Sequence, residues 1–425
     1  MTPPAGALPS AERPLFRQRN FFALWGGQLI SLLGERLTYL ALVGLLAEHT
    51  RHFADARSSL LLTLLANVML APVLLFAPFT GAWVDRWNLR RVLIASDTLR
   101  AVMVALIPVL YQATGNTFPM FALVFGLFLC NVFFLPAKSA ITPEIVPPSQ
   151  LLAANAWLAG AGIVATAIGA LGGGWIVDHW GWPVALWINA VTYLVSVVAL
   201  AIIRYRPHAA HGDPPAMNWG NYVGEVRQGW AVIRRNRGVE LALISLGAVW
   251  VAGGFLHVAG NQHIQRAAQT PGMERVGVLL AVLGLGSGLS TWWVNHGGRR
   301  FSRSLLLGWG LVFAGLSLGA FAFSSRFAVF AVAGFFAGVG AAPAFTLAET
   351  LLQECTEPRQ RGRVFSARDF LMRLVFLIGV SLAGAMTRSL GTRAALLACA
   401  VTVAIAGALA LVYGRGGRAE GPART

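Results

Sequence analysis

The sequence predicts an all-α membrane protein in which twelve transmembrane helices form two pseudo-symmetric six-helix bundles. Three observations lead there. The 425-residue chain is 56% hydrophobic and only 12% charged, about half the charged fraction of a soluble domain. Its charges fall in short clusters separated by apolar runs close to the roughly 20 residues that cross a bilayer core. The pattern of the first half also returns, weakly, in the second.

Taken in order, residues 1–20 carry Pro3, Pro4, Pro9 and Pro14. They lack the apolar core and cleavage site of a signal peptide and read as a cytoplasmic tail. Twelve apolar runs come next, near 21–47, 59–84, 92–111, 119–141, 151–177, 182–203, 241–263, 275–296, 304–323, 327–353, 364–387 and 394–413. The first six make an N-terminal bundle over 21–203 and the last six a C-terminal bundle over 241–413. Between them lies a linker, 204–240, with Pro207, Pro214 and Pro215, and residues 414–425 form a second tail. An even number of spans puts both tails on one side of the membrane. The loops and tails of that side carry 21 basic residues against seven on the other. A cytoplasmic excess of Arg and Lys orients membrane proteins, so both termini are expected in the cytoplasm.

The same excess accounts for the net charge of +16, and no nucleic-acid partner is expected. Cys130, Cys355 and Cys399 are scattered and support neither a disulfide framework nor a metal site. No phosphate-binding loop, zinc-ligand spacing or nucleophile elbow is present, so no cofactor and no enzyme activity are expected. Trp25, Trp180 and Trp182 lie at span ends and read as interfacial anchors.

The repeat rests on three echoes. "RQRN" ending at Asn20 returns as "IRRN" ending at Asn236, the basic loop 85–91 returns at 297–303, and Pro136-Ala137 returns as Pro343-Ala344. Parallel halves with a site between them are a transporter architecture in which one bundle rocks against the other.

The loop after the second run reads "GAWVDRWNLRR", Gly81 to Arg91. It resembles the signature of the major facilitator superfamily. The resemblance implies alternating access, with Gly81, Asp85, Arg86, Arg90 and Arg91 as a cytoplasmic gating motif. In it Asp85 faces the positive N-terminal end of a helix across the bundle interface. Asn88 stands where many members have glycine or aspartate, and the second-half counterpart, "NHGGRRFSR", has no carboxylate. "IASDTLRA" (94–101), "ALWINAVTYLVS" (185–196) and "RGRVFS" (361–366) resemble the bacterial drug-exporter, macrolide-efflux-like branch. "GALGGG" (169–174) resembles its antiporter motif with Ala170 in place of proline. "PAKSAITPEIVPPSQLLAANAW" and "LFAPFTG" resemble lysophospholipid transporters instead. These resemblances imply a monomer of the bacterial inner membrane that exports amphipathic small molecules in exchange for protons. The alternative is a lysophospholipid translocator.

Five basic residues fall within or at the edges of spans: Arg36, Arg100, Lys138, Arg368 and Arg373. Intramembrane charges cost several kcal/mol and face a protein interior or a wet cavity, so these residues and their acidic neighbours are the candidates for coupling or substrate binding. Glu35 and Arg36 sit near the middle of the first span, about 20 Å in by helical rise. Glu35 is a candidate proton carrier, with an ion pair to Arg368 or Arg373 as its structural alternative. Asp97 and Arg100, three apart, share a helix face and read as a structural ion pair. Asp369 and Arg373, four apart, are expected to pair in the same way, which leaves Arg368 free for Glu35 or an anionic substrate. His257 is a possible proton relay or a satisfied core histidine.

Lys138 is the only lysine beside 32 arginines. It comes soon after Pro136, which frees a backbone carbonyl one turn earlier. An ammonium there can act as a compact, titratable point charge for an anion or can snorkel to the headgroups.

Overall fold

The computed structural model describes residues 14–51, 55–84, 87–204, 237–268, 272–297, 300–355 and 361–415, with isolated positions between 220 and 234. Among them twelve helices are long and apolar enough to cross a membrane. They are α1 (Arg19–Thr50), α2 (Asp55–Val84), α3 (Leu89–Thr114), α4 (Phe118–Ile145), α5 (Leu151–Trp180) and α6 (Trp182–Ile202) in the first half. In the second half, α7 runs through Arg237–Phe255, a π-helical turn Leu256–Gly260 and Asn261–Ala268. After it come α8 (Met273–His296), α9 (Arg303–Phe323), α10 (Phe327–Cys355), α11 (Arg361–Leu390) and α12 (Thr392–Arg415). Most helices run a few residues past the apolar run that marks them. Backbone groups in lipid need internal partners, so the helices end at headgroup depth and include polar ends such as Glu48, His49 and Thr50.

The duplication is visible in the packing. In the first half α1 packs on α5 and α6, α3 on α4 and α6, and α2 on α4. The second half repeats these pairings six helices on: α7 on α11 and α12, α9 on α10 and α12, α8 on α10. Pro136 and Pro343, echoes in the sequence, both lie within helices, in the later parts of α4 and α10.

The bundles meet mainly through α5 against α8 and α2 against α11, a pair of contacts that the same symmetry exchanges. Both are tight at the end away from the chain termini. A Cβ at Gly174 or Gly277 would overlap backbone of the opposite helix, Met273 in one case and Ala170 in the other, so only glycine lets α5 and α8 close there. Further along the same helices, at Gly160, Gly284 and Gly288, a Cβ would meet nothing within 4 Å. Ile163, one turn from Gly160, is 73% exposed. The bundles are therefore closed at the end bearing residues 51, 181, 272 and 391 and splayed at the end bearing the termini.

Candidate functional site

Two adjoining cavities lie near mid-membrane where the bundles begin to diverge. The first, about 170 Å³, is lined by Glu35, Arg36, Thr38, Tyr39, Arg100 and Tyr193 with apolar neighbours. The second, about 330 Å³, is reached through the shared residues Arg36, Tyr39, Met69, Phe128 and Asn131. It adds His257 and Arg373 to an apolar wall that includes Val73, Leu135 and Phe376.

Arg100 anchors the first cavity. Its Nη1 is 3.1 Å from Glu35 Oε1 and its Nη2 is 3.4 Å from Asp97 Oδ1. The guanidinium lies 4.2 Å from the Phe134 ring centroid and 5.2 Å from that of Tyr193. Asp97 and Arg100 are wholly buried, and Ser196 Oγ donates to Asp97 Oδ2 at 2.7 Å. The i,i+3 spacing thus makes the pair read from the sequence, and it also recruits Glu35 from α1. Glu35 differs from Asp97 in that its side chain remains 30% exposed, toward the cavity. It can therefore exchange a proton or meet a ligand while Asp97 holds the arginine in place.

The expected pairing in α11 is reversed. Arg368 has local partners: its Nη2 is 2.8 Å from Asp369 Oδ1, and its Nη1 bonds Glu349 of α10. The adjacent Asp369 and the facing Glu349 reach Arg368 directly, so Asp369 is engaged one residue away and not with Arg373 four residues on. Neither Arg368 nor Asp369 lines the two cavities. Arg373 does, and among the described residues no carboxylate comes within ion-pairing distance of it or of Arg36. Glu35 pairs with Arg100, not with Arg368 or Arg373.

His257 is a core histidine that joins the bundles. It sits in the π-helical turn of α7, a local distortion frequent at functional sites. Its Nε2 donates to the Leu62 carbonyl at 3.2 Å, and its Nδ1 is 2.9 Å from the Tyr39 hydroxyl. A neutral imidazole makes both bonds, one as donor and one as acceptor. Asn261 Nδ2 adds a bond to Tyr39 Oη at 3.3 Å.

Lys138 is half-buried on α4, within electrostatic range of Glu35 and Arg100, but lines neither cavity. In the gating motif, Gly81 falls in the last turn of α2, and Asp85 and Arg86 lie outside the described residues. Arg90 donates from Nε to Leu200 O at 3.1 Å and from Nη2 to Ala201 O, so it caps the end of α6. The backbone N–H of the exposed Arg91 donates to Asn88 Oδ1 at 3.1 Å. Asn88, where many superfamily members carry another residue, is thus the N-cap of α3. Trp182 is not an interfacial anchor: it is buried, and its Nε1 donates to Glu48 Oε2 at 2.7 Å.

Two site residues carry no sequence signal of their own. One is Tyr39, an aromatic residue within an apolar run. The other is Asp178, near the end of α5, which accepts backbone hydrogen bonds from Met273 and Glu274 of α8 at 3.0 and 2.8 Å. A lone acid close to a span end looks like an ordinary solvated residue.

Two helical bundles, closed at one end over a charged central cavity, define a membrane transporter of the alternating-access type. The family model described as Major Facilitator Superfamily matches residues 24–302 and 241–424, and the chain belongs to that superfamily. It carries small molecules across the membrane by secondary transport. Macrolide efflux protein A of Streptococcus pyogenes is 25% identical over 389 residues, 88% of this chain and 90% of the relative. A bacterial homologue of the human lysosomal transporter Spinster, solved inward-facing and unoccupied, superposes with a TM-score of 0.72 at 14% identity, covering 95% of this chain and 98% of that one. The human organic anion transporter MFSD10 does so with a TM-score of 0.64 at 16% identity, covering 94% and 100%.

Proposed function

We propose that the chain moves an anionic, single-chain amphiphile of the lysophospholipid class across the bacterial inner membrane. The observation that carries this is the pair Arg36 and Arg373, which face one largely apolar cavity with no protein counter-ion at either among the described residues. A cation held at that depth is costly until an anion neutralises it. A phosphate between the two guanidinium groups, its acyl chain against Met69, Val73, Leu135 and Phe376, satisfies both halves of the lining. The basic excess of 21 to seven supports cytoplasmic termini. In that orientation the splayed end opens to the cytoplasm, and the structure corresponds to the inward-facing state.

The test is transport into proteoliposomes of a labelled lysophospholipid and, separately, of a macrolide. Each charge-assisted hydrogen bond to the phosphate is worth roughly 1.5–3 kcal/mol. Arg36→Gln and Arg373→Gln should therefore each lower lysophospholipid transport by about tenfold or more, and leave macrolide movement, if any, unaffected. Lysophospholipid transport at the wild-type rate in both variants overturns the reading.

A second reading, proton-coupled export of amphipathic drugs, is favoured by the partly exposed Glu35 carboxylate and by similarity to the macrolide efflux protein. In this second reading Glu35 is the coupling group. Glu35→Gln is expected to abolish substrate movement driven by a pH gradient while substrate still binds. If the variant exchanges substrate against a pH gradient as fast as wild type, Glu35 serves only to hold Arg100.

A further inference from the structure

We propose that Asp178 is the latch of the closed end of this transporter, the inverted-repeat counterpart of the latch that the family resemblance assigns to Asp85. Such a latch serves alternating access itself, whichever substrate is carried.

The first intrahelical bond of α8 runs from the Val276 N–H to the Gly272 carbonyl. The N–H groups of Met273 and Glu274 precede it and have no partner within the helix. Asp178, from the opposite bundle, supplies both: Oδ1 accepts from Met273 and Oδ2 from Glu274. The carboxylate also meets the positive end of the α8 dipole. Gly272, with φ of 67°, turns the chain into α8 there. One turn along α5, Gly174 lets the two backbones touch. The contact joins charge to shape: the glycines set the distance, and the carboxylate holds it.

Symmetry points the same way. Each superfamily half is itself an inverted repeat of three helices and three, in which α2 corresponds to α5. The two interbundle pairs, α2 with α11 and α5 with α8, are exchanged by the symmetry between halves. Asp85 comes directly after the terminus-side end of α2, one residue past Val84, and α11 begins on that side at Arg361. Asp178 lies near the opposite end of α5, and α8 begins there at Met273. Asp178 therefore stands at an interbundle helix pair, beside the start of the partner helix, and the α2–α11 pair that Asp85 follows in sequence has its own partner start on the opposite side of the membrane. Alternating access requires that the two ends are never open together, so the two latches release in turn. In this structure the α5–α8 end is closed and the Asp178 latch is engaged.

The experiment uses the full chain in lipid nanodiscs with pairs of spin labels read by double electron–electron resonance. One pair, at Arg51 and Arg326, reports the closed end, and the other, at Leu152 and Ser302, the splayed end. All four residues are exposed. Asp178→Asn keeps the shape and removes the charge. It should shift the population toward opening at the Arg51–Arg326 end by about 2- to 30-fold. Asp85→Asn should shift it the other way. Glu274→Pro provides an independent variant should Asp178→Asn fail to fold. It removes one donor from an exposed residue in the first helical turn, where proline is tolerated, and should shift the population in the same direction as Asp178→Asn, by less. Unchanged distances in Asp178→Asn or in Glu274→Pro overturn the proposal. So does a shift of Asp178→Asn in the same direction as Asp85→Asn.

Discussion

Arg100→Ala is expected to be the most destabilising single change in the first bundle, by about 3–5 kcal/mol. The arginine has no exposure, and its removal strands Asp97, equally buried, with only the Ser196 hydroxyl for a partner. Glu35 loses its counter-ion as well, and the space between Phe134 and Tyr193 empties. Arg100→Lys keeps the charge but cannot reach two carboxylates at once with a planar fork while keeping the contact with the Phe134 ring, and it should recover part of the loss. Thermal unfolding of the purified protein in detergent is the check. Asp97→Asn combined with Arg100→Ala should be less destabilised than the sum of the single changes, because the double variant leaves no buried unpaired charge. A loss below about 1 kcal/mol in Arg100→Ala would mean that water reaches the site and screens it as at a surface. By contrast Glu35→Gln, at a partly exposed carboxylate, should move function far more than stability.

How much of this was legible in the sequence differs by kind of interaction. The twelve spans were, because a bilayer imposes length and apolarity on each helix separately. The two-bundle plan was too, because duplication left echoes such as Pro136-Ala137 and Pro343-Ala344. The Asp97–Arg100 pair was legible because it is local, three residues on one helix. Every contact that depends on which helices become neighbours escaped. Glu35 and Arg100 are 65 positions apart, and Asp178 and Met273 are 95 apart. Arg368 shows the limit most clearly: spacing along α11 suggested that Asp369 would take Arg373, but Glu349 on α10 faces Arg368 and Asp369 joins it. That exchange freed Arg373 for the cavity and so changed the chemistry assigned to the site. The single lysine drew notice by its rarity, yet it lines neither cavity, whereas the common arginines Arg36 and Arg373 do.

The second large effect is expected from Gly277→Leu, which should abolish transport by preventing closure at the α5–α8 end. A Cβ at this position would meet the carbonyl carbon and oxygen of Ala170 and the Cα of Gly174. All three belong to the backbone of α5, so no side-chain rotation relieves the overlap and the helices have to separate. Helices packed through ordinary side chains sit about 8–10 Å apart, and closure of this transporter needs a closer approach than that. The expected readout is a longer Arg51–Arg326 distance in the protein as a whole, not a change in the proportion of two populations, since the closed arrangement no longer exists. The Asp178 latch fails with it, because its hydrogen bonds to Met273 and Glu274 form only at short range. Gly284→Leu is the matched comparison. It lies two turns further along α8, where a Cβ meets nothing within 4 Å, so in this state the added side chain displaces no backbone. Gly284→Leu should leave the Arg51–Arg326 distance as it is while Gly277→Leu lengthens it. Equal responses from the two glycines would show that the end closes through side chains that can rearrange, and that the small-residue contact is not what sets the distance between the bundles.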